Sequence, residues 1–408
     1  MFGGGGSPRG AKMRTMSTTA SSSRGPRISA VRRTAETVTP LELFFDLVYV
    51  LALTQCTALM ADDPTWEGLA RGLLVLGVLW WSWVGYSWLT SVVDPEEGAV
   101  RIAMFAAMAA FLICALCVPG AFGDDGLLFA LAYGAVRAAH IWLFVIASRD
   151  DPGLRHATWG LAVSTAIGVG LLVGASFADG WLQGGLWALA LALDMGGPLL
   201  IDASGWRLMP EHFAERHGLI LIIALGESIV AIGAGAGLAI DAGVVIAAVL
   251  GIVVAASLWW LYFDVVAPVS TRRLVAAPEG AERNRMARDS FSYLHLPMIA
   301  GVVLVALGMK KAIGHFEDPL KAVPTFALLG GAALYLLAHV AFRWRNVHTL
   351  NRRRLGLALV LLVLVPALYD QPAWIPLVVL SAALVLLIAY ETRVYGEARH
   401  DARHPSGA

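Results

Sequence analysis

Residues 242–263 read AGVVIAAVLGIVVAASLWWLYF, an apolar run without a charged side chain. A helix needs about 20 such residues to cross a hydrocarbon core about 30 Å thick. In lipid, backbone groups find no hydrogen-bond partner outside their own segment, so a continuous run of this kind forms a helix rather than an irregular segment. The stretch therefore predicts that the chain crosses a bilayer.

Comparable apolar runs lie on both sides of this stretch. They do not alternate polar and apolar residues as the strands of a β-barrel do. They predict an all-α polytopic integral membrane protein with about twelve transmembrane helices. The eleventh run is short and contains Pro366. The approximate limits are 41–61, 69–90, 102–119, 127–147, 158–177, 181–200, 214–237, 242–266, 291–309, 323–342, 355–369 and 374–390.

The composition excludes several classes of protein. Of the 408 residues, 58% are hydrophobic and only 15% are charged, which rules out a soluble globular enzyme or a disordered chain. The 30 basic residues balance 30 acidic ones, so no net field attracts nucleic acid. No soluble catalytic motif or cofactor loop is present. Cys114 and Cys117 have the spacing of a metal or redox motif, but they lie in an apolar run without a second pair or a His cluster, which favours two small side chains in a membrane helix. We therefore expect no catalytic residues, no metal and no cofactor. The sequence favours a protein that is not an enzyme over one that is.

Three regions follow from the distribution of charge. Residues 1–39 form a Gly-, Ser- and Arg-rich segment, which predicts a disordered basic cytoplasmic arm. Residues 40–391 form the transmembrane domain, and residues 392–408 a cytoplasmic tail. Lys and Arg concentrate in alternate loops, which predicts that both termini are cytoplasmic. The loops predicted to face outside hold only Arg71, Lys310, Lys311 and Lys321.

The largest basic loop, residues 267–290, suggests a partner. It predicts contact with anionic lipid headgroups at the cytoplasmic face of the cell membrane, and a protein-docking role is the alternative. The sequence does not indicate the oligomeric state. Trp80, Trp81, Trp83 and Trp88 crowd the second span, and we expect those near span ends to anchor at the interface.

A weak internal similarity points to a repeat. LVYVLALTQ at 47–55 resembles LILIIALGE at 219–227, about six spans later. An even number of intervening spans keeps both copies in the same orientation, as in parallel six-plus-six transporter repeats.

Polar side chains inside the spans give the candidate functional residues, because a charge at mid-bilayer usually faces a bundle interior or a wet cavity. Glu42 and Asp46 lie one turn apart on the first span and could share a proton or bind a cation. Acids in a first turn also simply suit the helix dipole. Gln55 lies deeper and is expected to bond a neighbouring helix.

Two further spans carry intramembrane charges. Arg137 lies at the centre of the fourth span, and Glu227 lies at a similar depth on the seventh, with Asp194 of the sixth next. Because Arg does not lose its proton in proteins, it needs an acidic partner, and we predict an Arg137–Glu227 ion pair. Gly196, Gly197 and Pro198 after Asp194 indicate either a broken helix or a helix end.

Two motifs resemble the bacterial low temperature requirement protein A family: TPLELFFDLVYVLAL at 39–53 and ERHGLILIIALGES at 215–228. The likeness runs from residue 38 to about 390. It implies a multi-pass bacterial membrane protein connected with growth in the cold, and it implies no particular reaction. The residues that carry over are Glu42, Phe45, Asp46, Glu215, Arg216, His217, Gly218, Gly226 and Glu227.

The sequence leaves three functions open. The first is a secondary transporter of an unknown small solute or ion, with a carboxylate-based proton or cation pathway through Asp46, Glu42, Glu227, Arg137, Asp194 and Gln55. The second is a lipid-acting enzyme or accessory factor in cold adaptation, whose Glu211–His217 segment faces headgroups. The third is a structural or sensory protein whose charged pairs only fix helix packing.

Overall fold

The computed structural model describes residues 1–3, 37–96, 98–200, 205–236 and 241–394, which form an all-helical bundle. A 3₁₀ turn at Val118–Gly120 follows α3, and a π-helical segment at Ala287–Tyr293 precedes α11. The helices are α1 Pro40–Asp62, α2 Trp66–Thr90, α3 Gly98–Leu116, α4 Gly126–Ala147, α5 Pro152–Ala175, α6 Gly180–Leu200, α7 Pro210–Ala236, α8 Ala242–Phe263, α9 Val266–Ala276, α10 Ala281–Met286, α11 His295–Gly314, α12 Ala322–Val347, α13 Arg352–Leu368 and α14 Trp374–Val394.

Each predicted span coincides with a helix. In the described part of the chain, 10 helical segments are long and apolar enough to cross a membrane, which confirms a multi-pass membrane architecture. Two helices fall outside that set. One is α6, and the other is α13, which has 17 residues with Pro366 inside. The total of twelve spans and the position of both termini therefore stay predictions.

The interior of the bundle is formed by α2, α11 and α12. The apolar stretches of these helices are 78% buried, whereas those of the other candidate spans range from 33% to 56%. Gly301 and Gly331 bring the backbones of α11 and α12 together, because a Cβ built on Gly301 would lie 2.7 Å from the carbonyl oxygen of Gly331. Small residues of this kind allow close packing of membrane helices.

The basic segment 267–290, which is a loop between spans in the predicted topology, is largely helical. It forms α9, α10 and the start of the π-helical segment. Residues 4–36 and 395–408 lie outside the described residues, and so do most of the predicted arm and tail.

The order of neighbours in the first six spans recurs in the last six. In the first set, α1 contacts α2 and α3, α3 contacts α4, α4 contacts α5, α5 contacts α6, and α6 contacts α2. In the second set, α7 contacts α8 and α11, α11 contacts α12, α12 contacts α13, α13 contacts α14, and α14 contacts α8. The six-plus-six repeat stays a prediction, and this correspondence is the arrangement it would produce. In such a repeat α1 corresponds to α7, and these two helices contact each other.

Candidate functional site

Two oppositely charged pairs meet where α1 packs on α7. Glu42 and Asp46 lie four residues apart on α1, and His212 and Arg216 lie four residues apart on α7. Residues with this spacing share a helix face, so the acidic face of α1 meets the basic face of α7. All four side chains are 0% exposed. We call these four residues the α1–α7 charge cluster.

Arg216 is the centre of this cluster. Its Nη2 donates to Asp46 Oδ1 at 2.6 Å, and its Nη1 donates to Glu42 Oε1 at 3.2 Å and to Thr90 Oγ1 on α2 at 3.0 Å. The guanidinium also lies 5.4 Å from the ring centroid of Trp83. A guanidinium suits this position because its planar fork of donors reaches several acceptors at once.

The two carboxylate oxygens of Glu42 have different partners, one in the charge cluster and one at the start of α1. Oε1 contacts His212 Nε2 at 2.8 Å as well as Arg216, and Oε2 accepts the backbone N–H of Thr39 at 2.8 Å. The Thr39 side chain in turn accepts the N–H of Glu42, which completes a capping box at the start of α1. Glu42 therefore caps the helix and also belongs to the buried cluster.

His212 makes contacts through both of its ring nitrogens. Ser91 Oγ lies 3.1 Å from His212 Nδ1 and also donates to the carbonyl of Ser87. Nε2 lies 2.8 Å from Glu42 Oε1. The ring therefore links α7 to the start of α1 and to the residue that follows α2.

Two polar atoms in this cluster have no hydrogen-bond partner among the described residues, Asp46 Oδ2 and Arg216 Nε. Asp46 Oδ1, by contrast, accepts from both Arg216 and the indole N–H of Trp83, the latter at 2.8 Å. A carboxylate with one satisfied and one free oxygen can take a proton on the free oxygen without first losing its existing bonds.

The remaining motif residues support the cluster or pack beside it. Glu215 accepts the backbone N–H of Val38 at 3.0 Å and so ties the start of α1 to α7. His217 is buried among aromatic rings and bonds the carbonyl of Phe213. Phe45 packs against Tyr86. A Cβ on Gly218 would only touch Phe263, at 3.5 Å, and one on Gly226 would meet open space, so neither glycine is required by close packing.

Glu227 lies further along the same α1–α7 contact. It is 2% exposed, and the hydroxyl of Thr54 on α1 donates to its Oε2 at 2.5 Å. No ion pair of Glu227 occurs within the described ranges, and the charge of Lys310 acts on it only from a distance. Gln55, the next residue after Thr54, is half-buried.

Arg137 pairs with Asp194, so the predicted Arg137–Glu227 ion pair is wrong. Its Nη2 donates to Asp194 Oδ1 at 2.9 Å and to Thr165 Oγ1 at 2.6 Å. Thr165 donates to Asp194 Oδ1, and Tyr133 donates to Asp194 Oδ2 at 2.8 Å. The residues after Asp194 continue as helix to Leu200, so α6 has a Pro near its end rather than a break.

A third buried charge pair lies between α13 and α14 and was missed at the sequence level. Arg354 Nε and Nη2 donate to the two oxygens of Glu391 at 3.0 and 2.9 Å, and Arg354 Nη1 donates to His339 Nδ1 at 2.8 Å. Each residue is near a span end, where charges are normally solvated. Arg354 follows two other arginines, so its burial had no distinct signal.

Trp80, Trp81, Trp83 and Trp88 of α2 are all buried, so these four are not interfacial anchors, whereas Trp66 at the start of α2 is exposed. Trp80 donates to the carbonyl of Ser292 and Trp88 to its hydroxyl, which ties α2 to the π-helical segment. A cavity beside them is lined by Trp81, Trp88, His140, Phe144 and Trp206, among others, and by Arg137 at one edge.

Comparisons with known proteins agree with these motifs. No solved structure matches the chain. Over 307 residues the chain is 31% identical to the uncharacterized protein RA0937 of Rhizobium meliloti (strain 1021), a match covering 72% of this chain and 74% of the relative. The model of the bacterial low temperature requirement A protein (LtrA) family matches residues 37–389. This range includes both motifs and every residue of the three buried charge sites except Glu391. This multi-pass membrane protein therefore belongs to the LtrA family.

Proposed function

We propose that this protein is a secondary transporter in which a proton or a small cation moves along the contact between α1 and α7. The observation that carries the proposal is the environment of Glu227. It is a buried carboxyl group deep in a transmembrane helix, and its described partner is a threonine hydroxyl rather than a cation. In a medium of low dielectric constant, such a group is most stable when it holds a proton or a bound cation.

Asp46 is a second exchangeable group on the α1–α7 contact, nearer the predicted cytoplasmic side than Glu227. It bonds Arg216 of α7. Arg216 and Glu227 lie 11 residues apart on α7, which corresponds to about 16 Å along the helix axis. The hydroxyl of Tyr49 on α1 is buried in the bundle and has no hydrogen-bond partner among the described residues. Asp46, Tyr49 and Thr54 thus place polar groups along α1 from its first turns to beyond its middle.

Proton exchange at Asp46 supplies a physical link to movement. A proton on its free Oδ2 neutralises the carboxylate, which weakens its attraction to Arg216. Because Arg216 also bonds Glu42 and Thr90, this change alters the balance of forces between α1, α2 and α7. The recurrent neighbour order of the two six-span sets supports the same proposal, since many secondary transporters place their sites between such halves.

The two other hypotheses explain different parts of the chain. The lipid-acting hypothesis placed the Glu211–His217 segment and the basic loops at the headgroups. In that segment His212, Arg216 and His217 are 0% exposed, and only Glu211 and Glu215 are not buried. The structural hypothesis suits Arg137 and Asp194, whose oxygens and guanidinium are engaged by Thr165 and Tyr133. We therefore assign the exchangeable groups to the α1–α7 contact alone.

The test is proton flux through the full chain in liposomes. Vesicles carry a pH-sensitive dye, and Na⁺ or K⁺ gradients serve as the driving probes. We expect wild-type protein to move protons faster than protein-free vesicles. Glu227→Gln keeps the size and the hydrogen-bonding capacity but cannot exchange a proton, so flux should fall about tenfold or more.

The matched control is Glu67→Gln, which removes an exposed carboxylate that pairs with Arg71 at the start of α2. It should leave flux unchanged. Equal thermal stability of both variants in detergent shows that folding is not the cause. Wild-type flux no faster than empty vesicles, or full flux from Glu227→Gln, contradicts the proposal.

A further inference from the structure

A polar cavity lies where the ends of α12 and α14 meet the start of α13, on the side of the bundle predicted to be cytoplasmic. Its volume is about 410 Å³. The side chains that give it its character are His339, Arg343, Arg352, Arg353, Arg354 and Glu391. None of them belongs to the α1–α7 charge cluster, and the proposed transport pathway does not use them.

The cavity has a surplus of positive charge. Glu391 is engaged by Arg354 through both oxygens. The other three arginines form no ion pair with a carboxylate in the described part of the chain. Arg343 donates to the hydroxyl of Thr349, and Arg352 and Arg353 stand exposed at the first turn of α13. A helix N-terminus adds to the positive potential there.

A buried hydrogen-bond donor also lines this cavity. Arginine can only donate, so His339 Nδ1 must accept the bond from Arg354 and the ring proton lies on Nε2. His339 is 1% exposed, and its Nε2 has no partner among the described residues. The described residues thus leave one hydrogen-bond donor near the arginines without an acceptor.

The cavity continues into an apolar groove. Arg352 and Arg353 also line a second space of about 350 Å³ between α13 and α14. Its other walls are apolar or aromatic and include Leu357, Leu387 and Tyr390. The guanidinium of Arg353 lies 4.6 Å from the ring centroid of Tyr390, at the junction of the two spaces. The polar, basic cavity and the apolar groove between α13 and α14 thus share Arg352 and Arg353 as lining residues.

We propose that the two spaces together form a binding site for one anionic phospholipid. The phosphate and its headgroup occupy the arginine-lined cavity, where guanidinium groups bind phosphate oxygens in pairs. An acyl chain lies in the groove between α13 and α14. A free phosphate anion would use the cavity but leave the groove empty, which separates the two ligand sources experimentally.

The experiment is native mass spectrometry of the full chain in detergent, titrated with phosphatidylglycerol, with phosphatidylcholine of the same chains, and with glycerol 1-phosphate. We expect phosphatidylglycerol to bind at least about tenfold more tightly than either other probe. The double variant Arg352→Gln/Arg353→Gln should lose that preference. Both residues are exposed, so folding should not depend on them. The matched control is Arg101→Gln/Arg155→Gln, which removes two exposed arginines elsewhere on the same predicted side.

A second variant tests the groove independently of charge. A Cβ on Gly356 meets no atom within 4 Å, so Gly356→Leu fits and fills the groove. It should weaken phosphatidylglycerol binding and leave glycerol 1-phosphate binding unchanged. Gly185→Leu, at another open helical glycine, is the control. Equal affinity for the two lipids, equal affinity for glycerol 1-phosphate, or unaltered binding by both test variants overturns the proposal.

Discussion

At the scale of single residues, the three buried charge pairs differ in how completely they are bonded. Asp194 receives hydrogen bonds on both oxygens, from Arg137, Thr165 and Tyr133. Asp46 has one oxygen that lacks a partner in the described structure. Arg137 Nε and Arg216 Nε both lack a partner among the described residues, so the two sites differ in their carboxylates. A fully bonded carboxylate is held in place, whereas one with a free oxygen has capacity for a further proton or ligand. This difference is why we assign a structural role to the first and an exchange role to the second.

Removal of Arg137 should destabilise the protein without a specific effect on flux. Arg137→Gln leaves the Asp194 carboxylate buried without its cation, and breaking a buried pair in this way costs about 3–5 kcal/mol. We expect a clearly lower thermal unfolding temperature in detergent. Arg137→Met/Asp194→Leu, which removes both charges, should recover part of the loss.

The control for this prediction is Arg155→Gln, which changes an exposed arginine on α5. Its unfolding temperature should equal that of the wild type. An Arg137→Gln protein as stable as this control would show that the pair does not hold α4 and α6 together.

At the scale of helices, the packing of α11 on α12 depends on glycines with no space beside them. A Cβ on Gly308 would lie 2.6 Å from the Cβ of Leu328. Gly185 on α6, in contrast, has nothing within 4 Å. The same substitution at these positions should therefore have opposite effects on stability.

Gly308→Ala should lower the unfolding temperature, because overpacking of this kind costs about 1–3 kcal/mol. Gly185→Ala should leave the temperature unchanged or raise it, since alanine favours a helix by about 1 kcal/mol in host peptides. Thermal unfolding of both variants in one detergent provides the comparison. A Gly308→Ala variant that is as stable as Gly185→Ala would refute the close contact.

The sequence predicted the membrane-spanning helices better than it predicted which charged side chains pair with each other. Each predicted span followed from a long apolar run, because lipid enforces internal hydrogen bonding on any spanning segment. The pairing of Arg137 did not follow, since depth by residue count places Glu227 and Asp194 at comparable levels and only packing chooses between them. The burial of Arg354 could not be predicted for another reason, because it depends on the surfaces of α8 and α14 that cover this side chain. The spacing of Glu42 and Asp46 did predict their common face.

At the scale of the whole molecule, the alternating charge of the loops predicts which side each loop faces. The α11–α12 connection contains Asp318 and is expected outside, and the α9–α10 connection contains Glu279 and is expected inside. Both side chains are exposed, so either can be replaced by a labelling site.

The measurement is thiol labelling of intact cells with a membrane-impermeant maleimide, in a background whose three native cysteines are replaced. Asp318→Cys should react in intact cells. Glu279→Cys should react only after permeabilisation. The reverse pattern, or reaction of both in intact cells, would contradict the predicted orientation.

The double engagement of Glu42 has a mechanical consequence. One oxygen holds the first turn of α1 and the other holds His212 and Arg216. Fraying of that turn therefore also weakens the contacts of both basic groups, while Arg216 keeps its bond to Asp46. A force on the chain just before Thr39 is therefore transmitted to His212 and Arg216 by the Glu42 carboxylate. This carboxylate lies in the first turn of α1, near the predicted membrane surface rather than in the middle of the span.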